Sequence, residues 1–246
     1  MGDKDLTERK LLGRNDVFAD VFNAIVFKGR QVIKPDDLKD MDPKSQYRDS
    51  EGKKREFQRD VVKYWMSGAS YLAICDLEPQ TKKNRDMVLR LFAYDGVLYH
   101  DQITLFPDST RVPVITLVVY FEKEPWNKYL RLSDVVQFPP DSKELLLPYF
   151  NDFKINVIDV PRLTREQIAL FQSDLRICAA FLHNVVNPHD VIPITDPTFD
   201  DYQSVCDFLN SICKGSGFKI DNEVFSQLPL EEQNMNSIMQ MFFDQL

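Results

Sequence analysis

Residues 111–121, RVPVITLVVYF, are apolar at nearly every position rather than at alternate ones. A strand of this kind has to be covered on both faces, which places it inside a sheet flanked by helices on each side. The rest of the chain supplies such helices. In residues 15–28, Phe18, Val21, Phe22 and Ile25 form one stripe, with Asn15 or Asp16 to cap its start and Gly29 to end it. Residues 84–102 carry a second apolar face through Val88, Leu91, Phe92, Leu98 and Tyr99. Thr164 and Gln167 form a capping box. They open a seam of Ile168, Phe171, Leu175, Cys178, Leu182 and Val185 at spacings 3, 4, 3, 4, 3. Strand composition marks residues 57–66 and 70–78, joined by a Ser67-Gly68 turn, and residues 153–160. Residues 34–56 are polar, with Pro35, Pro43 and Gly52, and read as a long excursion of loop and short turns. The order of elements predicts an α/β chain, a mixed sheet flanked by helices.

Charge divides the chain. Residues 187–246 hold ten acidic residues and two basic ones, a local charge of −8 that equals the net charge of the whole chain. Residues 1–186 are balanced. We therefore expect a sheet domain over 1–186 and an acidic helical region over 187–246, with helices at about 198–213 and 229–245. Phe208, Leu209 and Ile212, then Met235, Ile238, Met239 and Phe242, give these helices apolar faces for packing on the sheet domain, for a protein partner or for homo-oligomerisation. A uniform charge of this sign would disfavour nucleic acid. The charge is not uniform: Lys53, Lys54, Arg55, Arg59 and Lys63 form one basic stretch, and Lys82, Lys83, Arg85 and Arg90 another.

No apolar run approaches ~18 residues, so no membrane span is expected. The charged start MGDKDLTERK is not a secretory signal. The four cysteines form no CxxC pair and read as buried thiols of a reducing compartment, with the cytoplasm as the expected location. His100, His183 and His189 lie in no ligand pattern and read as surface residues. GxxxxGK[ST], GxGxxG, GxSxG and HExxH are all absent.

What remains is a set of carboxylates. Asp60 falls in the first strand of the predicted hairpin, and Glu78 ends the second, with Gln80 two residues on and thus on the same face. Two carboxylates on paired strands can share one Mg²⁺, which takes oxygen ligands and keeps several waters. A solvated or salt-bridged Asp and Glu would have the same spacing.

Asp60, then Glu78-Pro79-Gln80-Thr81, then Met87-Val88-Leu89-Arg90 and Tyr94, resemble the recombination-promoting nuclease and putative transposase family of the PD-(D/E)XK nuclease superfamily. Asp16-Val17-Phe18-Ala19 matches the start of its first helix, and RVPVITLVVYF with Lys123–Asn127 its later strand and loop. The resemblance covers about residues 14–185. It implies a restriction-endonuclease-like core of helix, three strands, helix and strand. It also implies a DNA endonuclease dependent on Mg²⁺ or Mn²⁺. Asp60 and Glu78 would be metal ligands, with the Pro79 carbonyl a third, and Gln80 would stand where the superfamily has lysine. Arg90 and Tyr94 would face the site or the DNA, and Asp16 would be accessory. Lys82, Lys83 and Arg85 suit phosphate contacts or a solvated loop equally. Pro79 is unusual in a strand. With the neutral Gln80 it supports a second reading, a nuclease-derived module that binds DNA or protein without cleaving.

Overall fold

The computed structural model describes residues 3–48, 54–105, 107–193, 199–213 and 237. The chain divides into two compact units. One comprises Lys39–Tyr120 and Pro125–Ile158, the other Met1–Leu38, Phe121–Glu124 and Asp159–Leu246.

A five-stranded sheet carries the first unit. Its strands are β1 (Leu38–Asp40), β4 (Val61–Ser67), β5 (Ser70–Gln80), β6 (Val114–Tyr120) and β7 (Asn156–Asp159), in the spatial order β1-β4-β5-β6-β7. β2 (Lys44–Arg48) and β3 (Lys54–Gln58) form a separate antiparallel ribbon. Residues 34–56 are thus not the excursion of loop and turns that their polarity suggests. They contribute an edge strand to the main sheet and most of a ribbon. Short polar strands such as Lys44–Arg48 show no alternation of apolar residues, so period 2 is invisible there.

β4 and β5 form the expected hairpin, closed at Ser67↔Ser70 with Gly68 in the left-handed region (φ +58°). β5 and β6 run parallel from Ile74↔Val114 to Gln80↔Tyr120. A parallel pair needs a crossover, which helix α3 (Met87–Leu105) provides. Met87, Val88, Leu91 and Tyr94 of α3 enter a core with Val118, Tyr120, Trp126, Leu132 and Ile155. Trp126 meets Tyr120 edge-on at 5.1 Å, a packing role. A short helix, α4 (Lys143–Leu146), lies in the segment leading to β7.

The second unit is largely helical. Its elements are α1 (Asp3–Gly13), α2 (Asn15–Val21) continuing as a π-helical turn over Phe22–Val26, α5 (Arg165–Ile168), α6 (Leu175–Val186) and α7 (Tyr202–Ile212). The predicted long helix over 164–185 is two helices. Its capping box forms as expected, but the chain breaks after α5. The buried Asp20 carboxylate draws out that break, accepting the N–H groups of Gln172 and Ser173 and the Ser173 hydroxyl. Neither Asn15 nor Asp16 caps α2, which starts after Arg14. Gly29 does end the π-helical turn at φ +85°. A Cβ there would lie 2.8 Å from Leu170 Cδ2, so no larger residue fits without movement.

α7 packs along α1, and Phe208 meets Phe121 at 5.0 Å. The α7 face of Val205, Phe208 and Leu209 is therefore covered within its own unit. The second predicted C-terminal helix, 229–245, lies outside the described residues save for Ser237. All four cysteines are free and buried. His183 is not on the surface: it is buried, with Nδ1 3.0 Å from the Leu163 carbonyl and Nε2 3.2 Å from that of Asp190. Among the described residues no helix is long and apolar enough to cross a membrane.

Candidate functional site

Asp60 does not lie in a strand. It occupies the bend between β3 and β4, one residue before Val61. β4 pairs with β5 from Val61↔Leu77 onward, so the bend delivers Asp60 beside Glu78. The Asp60 N–H donates to Glu78 Oε1 at 3.4 Å, and the two carboxyl groups are within hydrogen-bonding reach of each other. Glu78 is fully buried, yet its Oε2 has no hydrogen-bond partner. Burial, then the charges of Asp76 and Asp60 and the contact with Asp60, push the Glu78 carboxyl well above the ordinary carboxylate range; Arg90 pulls the other way.

Pro79 leaves β5 intact. The strand continues through Pro79↔Val119 to Gln80↔Tyr120. Pairing with β4 has ended at Leu77, so Pro79 meets the edge condition under which a strand tolerates a missing N–H. Gln80, half-buried, is the last residue of β5.

Three charged residues that the motif did not single out complete the surroundings. Arg59, 1% exposed, donates from Nη1 to Asp76 Oδ2 at 2.8 Å and from Nη2 to the Tyr94 carbonyl. Burial pushes Asp76 up to about 7 despite Arg59. Asp95 accepts from Thr116 Oγ1 at 2.7 Å and lies 3.9 Å from Arg59 Nη1. The Tyr94 ring has the Arg59 guanidinium at 5.4 Å and that of Arg90 at 5.6 Å from its centroid. Asp76 was legible: the period of 2 that groups Gln80 with Glu78 also puts Asp76 on that face. Arg59 gave no such signal, because its basic neighbours made it look like part of a solvated stretch.

The structure thus brings together Asp60, Glu78, Arg90 and, through Arg59, Tyr94. Lys82, Lys83 and Arg85 are exposed just after β5; Arg85 Nη2 donates to the Val135 carbonyl at 3.2 Å. Asp16 belongs to the other unit, where it pairs with Arg14 in the first turn of α2. Among the described residues no three His, Cys, Asp or Glu side chains form a ready metal cage. A cation here would rest on two carboxylates, backbone carbonyl and water. That sparse oxygen set suits Mg²⁺, and the orphaned Glu78 Oε2 suits a ligand atom.

A family model described as "Putative transposase, YhgA-like" matches residues 62–210. The chain belongs to this family. The match spans the Glu78-Pro79-Gln80 strand end and the α3 residues Arg90 and Tyr94, and begins two residues after Asp60. The family's description links the chain to mobile DNA. Comparison with curated proteins and with solved structures yields no match.

Proposed function

We propose that the chain is an endonuclease that hydrolyses DNA phosphodiester bonds with Mg²⁺ or Mn²⁺ held by Asp60 and Glu78 and by the Pro79 carbonyl. The observation that carries this reading is the buried, unpartnered Glu78 Oε2 beside a second carboxyl group. Burying two carboxyls together is unfavourable unless a proton or a cation separates their charges. Without a cation, burial and the neighbouring carboxylates favour the protonated form of Glu78.

A bound Mg²⁺ supplies positive charge to a phosphoryl oxygen and lowers the pKa of water. The chain's own groups do the rest. Gln80 carries one acceptor and two N–H donors, so it can orient a water or a phosphate oxygen but adds no charge. Arg90, whose charge Asp60 and Glu78 both feel, supplies a fixed cation to the pair. Lys82, Lys83 and Arg85 offer exposed cations for phosphates of the bound strand.

Plasmid nicking with Mg²⁺ or Mn²⁺ tests the proposal, run beside Asp60→Ala and Glu78→Ala. Metal-dependent nicking by the parent, reduced at least about a hundredfold in both variants, is the expected result. One observation favours the second reading: Gln80 is neutral where the superfamily has lysine, which weakens transition-state electrostatics. A parent that binds DNA but never nicks it would make the fold a binding module. Unreduced nicking in the variants would move the site elsewhere.

A further inference from the structure

Helix α3 has a second face. Leu89, Phe92, Gly96, Tyr99 and Ile103 follow at spacings 3, 4, 3, 4, the seam spacing of a helix that packs on another helix. Yet this seam is turned outward. Leu89 is 42%, Phe92 49%, Tyr99 42% and Ile103 57% exposed. The helix's charged residues, Arg90, Asp95 and Asp101, lie off the stripe and are half-buried. An ordinary solvent face has the reverse pattern.

Gly96 is the centre of the stripe. A glycine inside a helix costs about 1 kcal/mol relative to alanine. Among the described residues nothing lies within 4 Å of where its Cβ would be, so no packing there requires it. It leaves a shallow notch at the middle of an apolar ridge, where another helix can approach closely.

The stripe also chooses its occupant. Leu89 and Ile103 lie seven residues on either side of Gly96. If α3 crosses its own copy antiparallel at Gly96, each Leu89 faces the other copy's Ile103, and the same patch serves both partners. That is the self-complementarity a twofold interface needs. A stripe without lysine or arginine offers nothing to phosphate or to an anionic membrane surface. Both its aromatic rings already have partners: Phe92 meets Phe153 at a tilt, centroids 5.4 Å apart, and the Tyr99 hydroxyl accepts the Val114 N–H at 3.1 Å. Little side-chain freedom is left to lose on binding.

We infer that the chain forms a twofold dimer through the outer face of α3, crossing at Gly96. The proposal does not depend on nuclease activity. Light scattering on the full chain should give twice 28.7 kDa. Phe92→Glu and Ile103→Glu, both at exposed positions, should give a folded chain of 28.7 kDa, with native circular dichroism. Gly96→Cys should cross-link to itself under mild oxidation, with little background because the native thiols are buried. Leu89→Cys should cross-link to Ile103→Cys when the two are mixed, but not to itself. A monomeric parent overturns the proposal, as does a dimer indifferent to the Glu variants or an uncross-linked Gly96→Cys. A monomer destabilised by Ile103→Glu would place a segment of the same chain on this face, and would overturn it too.

Discussion

Replacing Arg59 with methionine keeps the length of the side chain and removes its charge. In the parent, Arg59 is 1% exposed and satisfies two buried acceptors, Asp76 Oδ2 and the Tyr94 carbonyl. Removing one partner of a buried pair typically costs about 3–5 kcal/mol, because the other charge is left without compensation. Protonation caps that cost. Asp76 titrates at about 7 even with Arg59 present; without the guanidinium its pKa rises further and the carboxyl takes a proton. The folded state then binds more protons than the unfolded chain, so stability falls as pH rises across the window from the ordinary Asp value to the raised one. In the variant that window extends above 7. The deficit is therefore smaller near pH 5, where Asp76 is protonated in both proteins, and grows by about 1.4 kcal/mol for each pH unit above 7, the parent's value. For a chain of this size the Tm loss is therefore about 3–6 °C greater near pH 8 than near pH 5. Thermal melts of the parent and Arg59→Met, followed by circular dichroism at both pH values, measure it. Arg59→Met/Asp76→Leu should recover most of the loss, since a buried pair replaced by apolar residues is often neutral. A loss below about 1 kcal/mol near pH 8, or one independent of pH, would refute the argument that Asp76 depends on Arg59.

Two further outcomes follow from the same physics. Glu78→Gln removes a buried acid that its neighbours disfavour as an anion; in metal-free buffer near pH 8 it should raise stability by on the order of 1 kcal/mol, or about 2–4 °C, while abolishing nicking, and a lowered Tm would contradict the raised pKa. Asp201 caps α7, accepting the Ser204 N–H at 3.0 Å and the Ser204 hydroxyl at 2.6 Å, and Asp201→Ala should cost about 1 kcal/mol near neutral pH. These bonds hold the Asp201 carboxyl below its ordinary value, so that contribution is present above the unfolded pKa and lost as pH falls through the folded one; urea midpoints near pH 7 and pH 3 should show the deficit shrinking in acid.

What could be read in the sequence is what long periodic segments encode. RVPVITLVVYF fixed a central strand because burial on both faces leaves no other composition, and Thr164 with Gln167 announced a helix start through a local bond. The break after α5 had no local signal. Its cause, the Asp20 carboxylate, is about 150 residues away in the chain, and the 3, 4, 3, 4, 3 spacing runs straight across it. α1 went unrecognised for a different reason. Its sequence is mostly charged, and its buried apolar residues, Leu11 and Leu12, sit together at its end, with the buried Glu8 a turn before them.

The candidate site shows the same division more sharply. Glu78 and Gln80 followed from strand period alone, whereas Asp60 was assigned to a strand and lies in a bend. The difference matters chemically. In a strand, pairing across to β5 would hold the Asp60 backbone in the ladder; in the bend, its N–H is free to turn onto Glu78 Oε1. The bend in turn is held from behind by Arg59, whose N–H bonds to the Pro43 carbonyl and whose side chain grips Asp76 and Tyr94. Sequence motifs mark groups that can do chemistry. The groups that aim them are selected by tertiary position, and an arginine inside a run of basic residues gives no hint that it is buried.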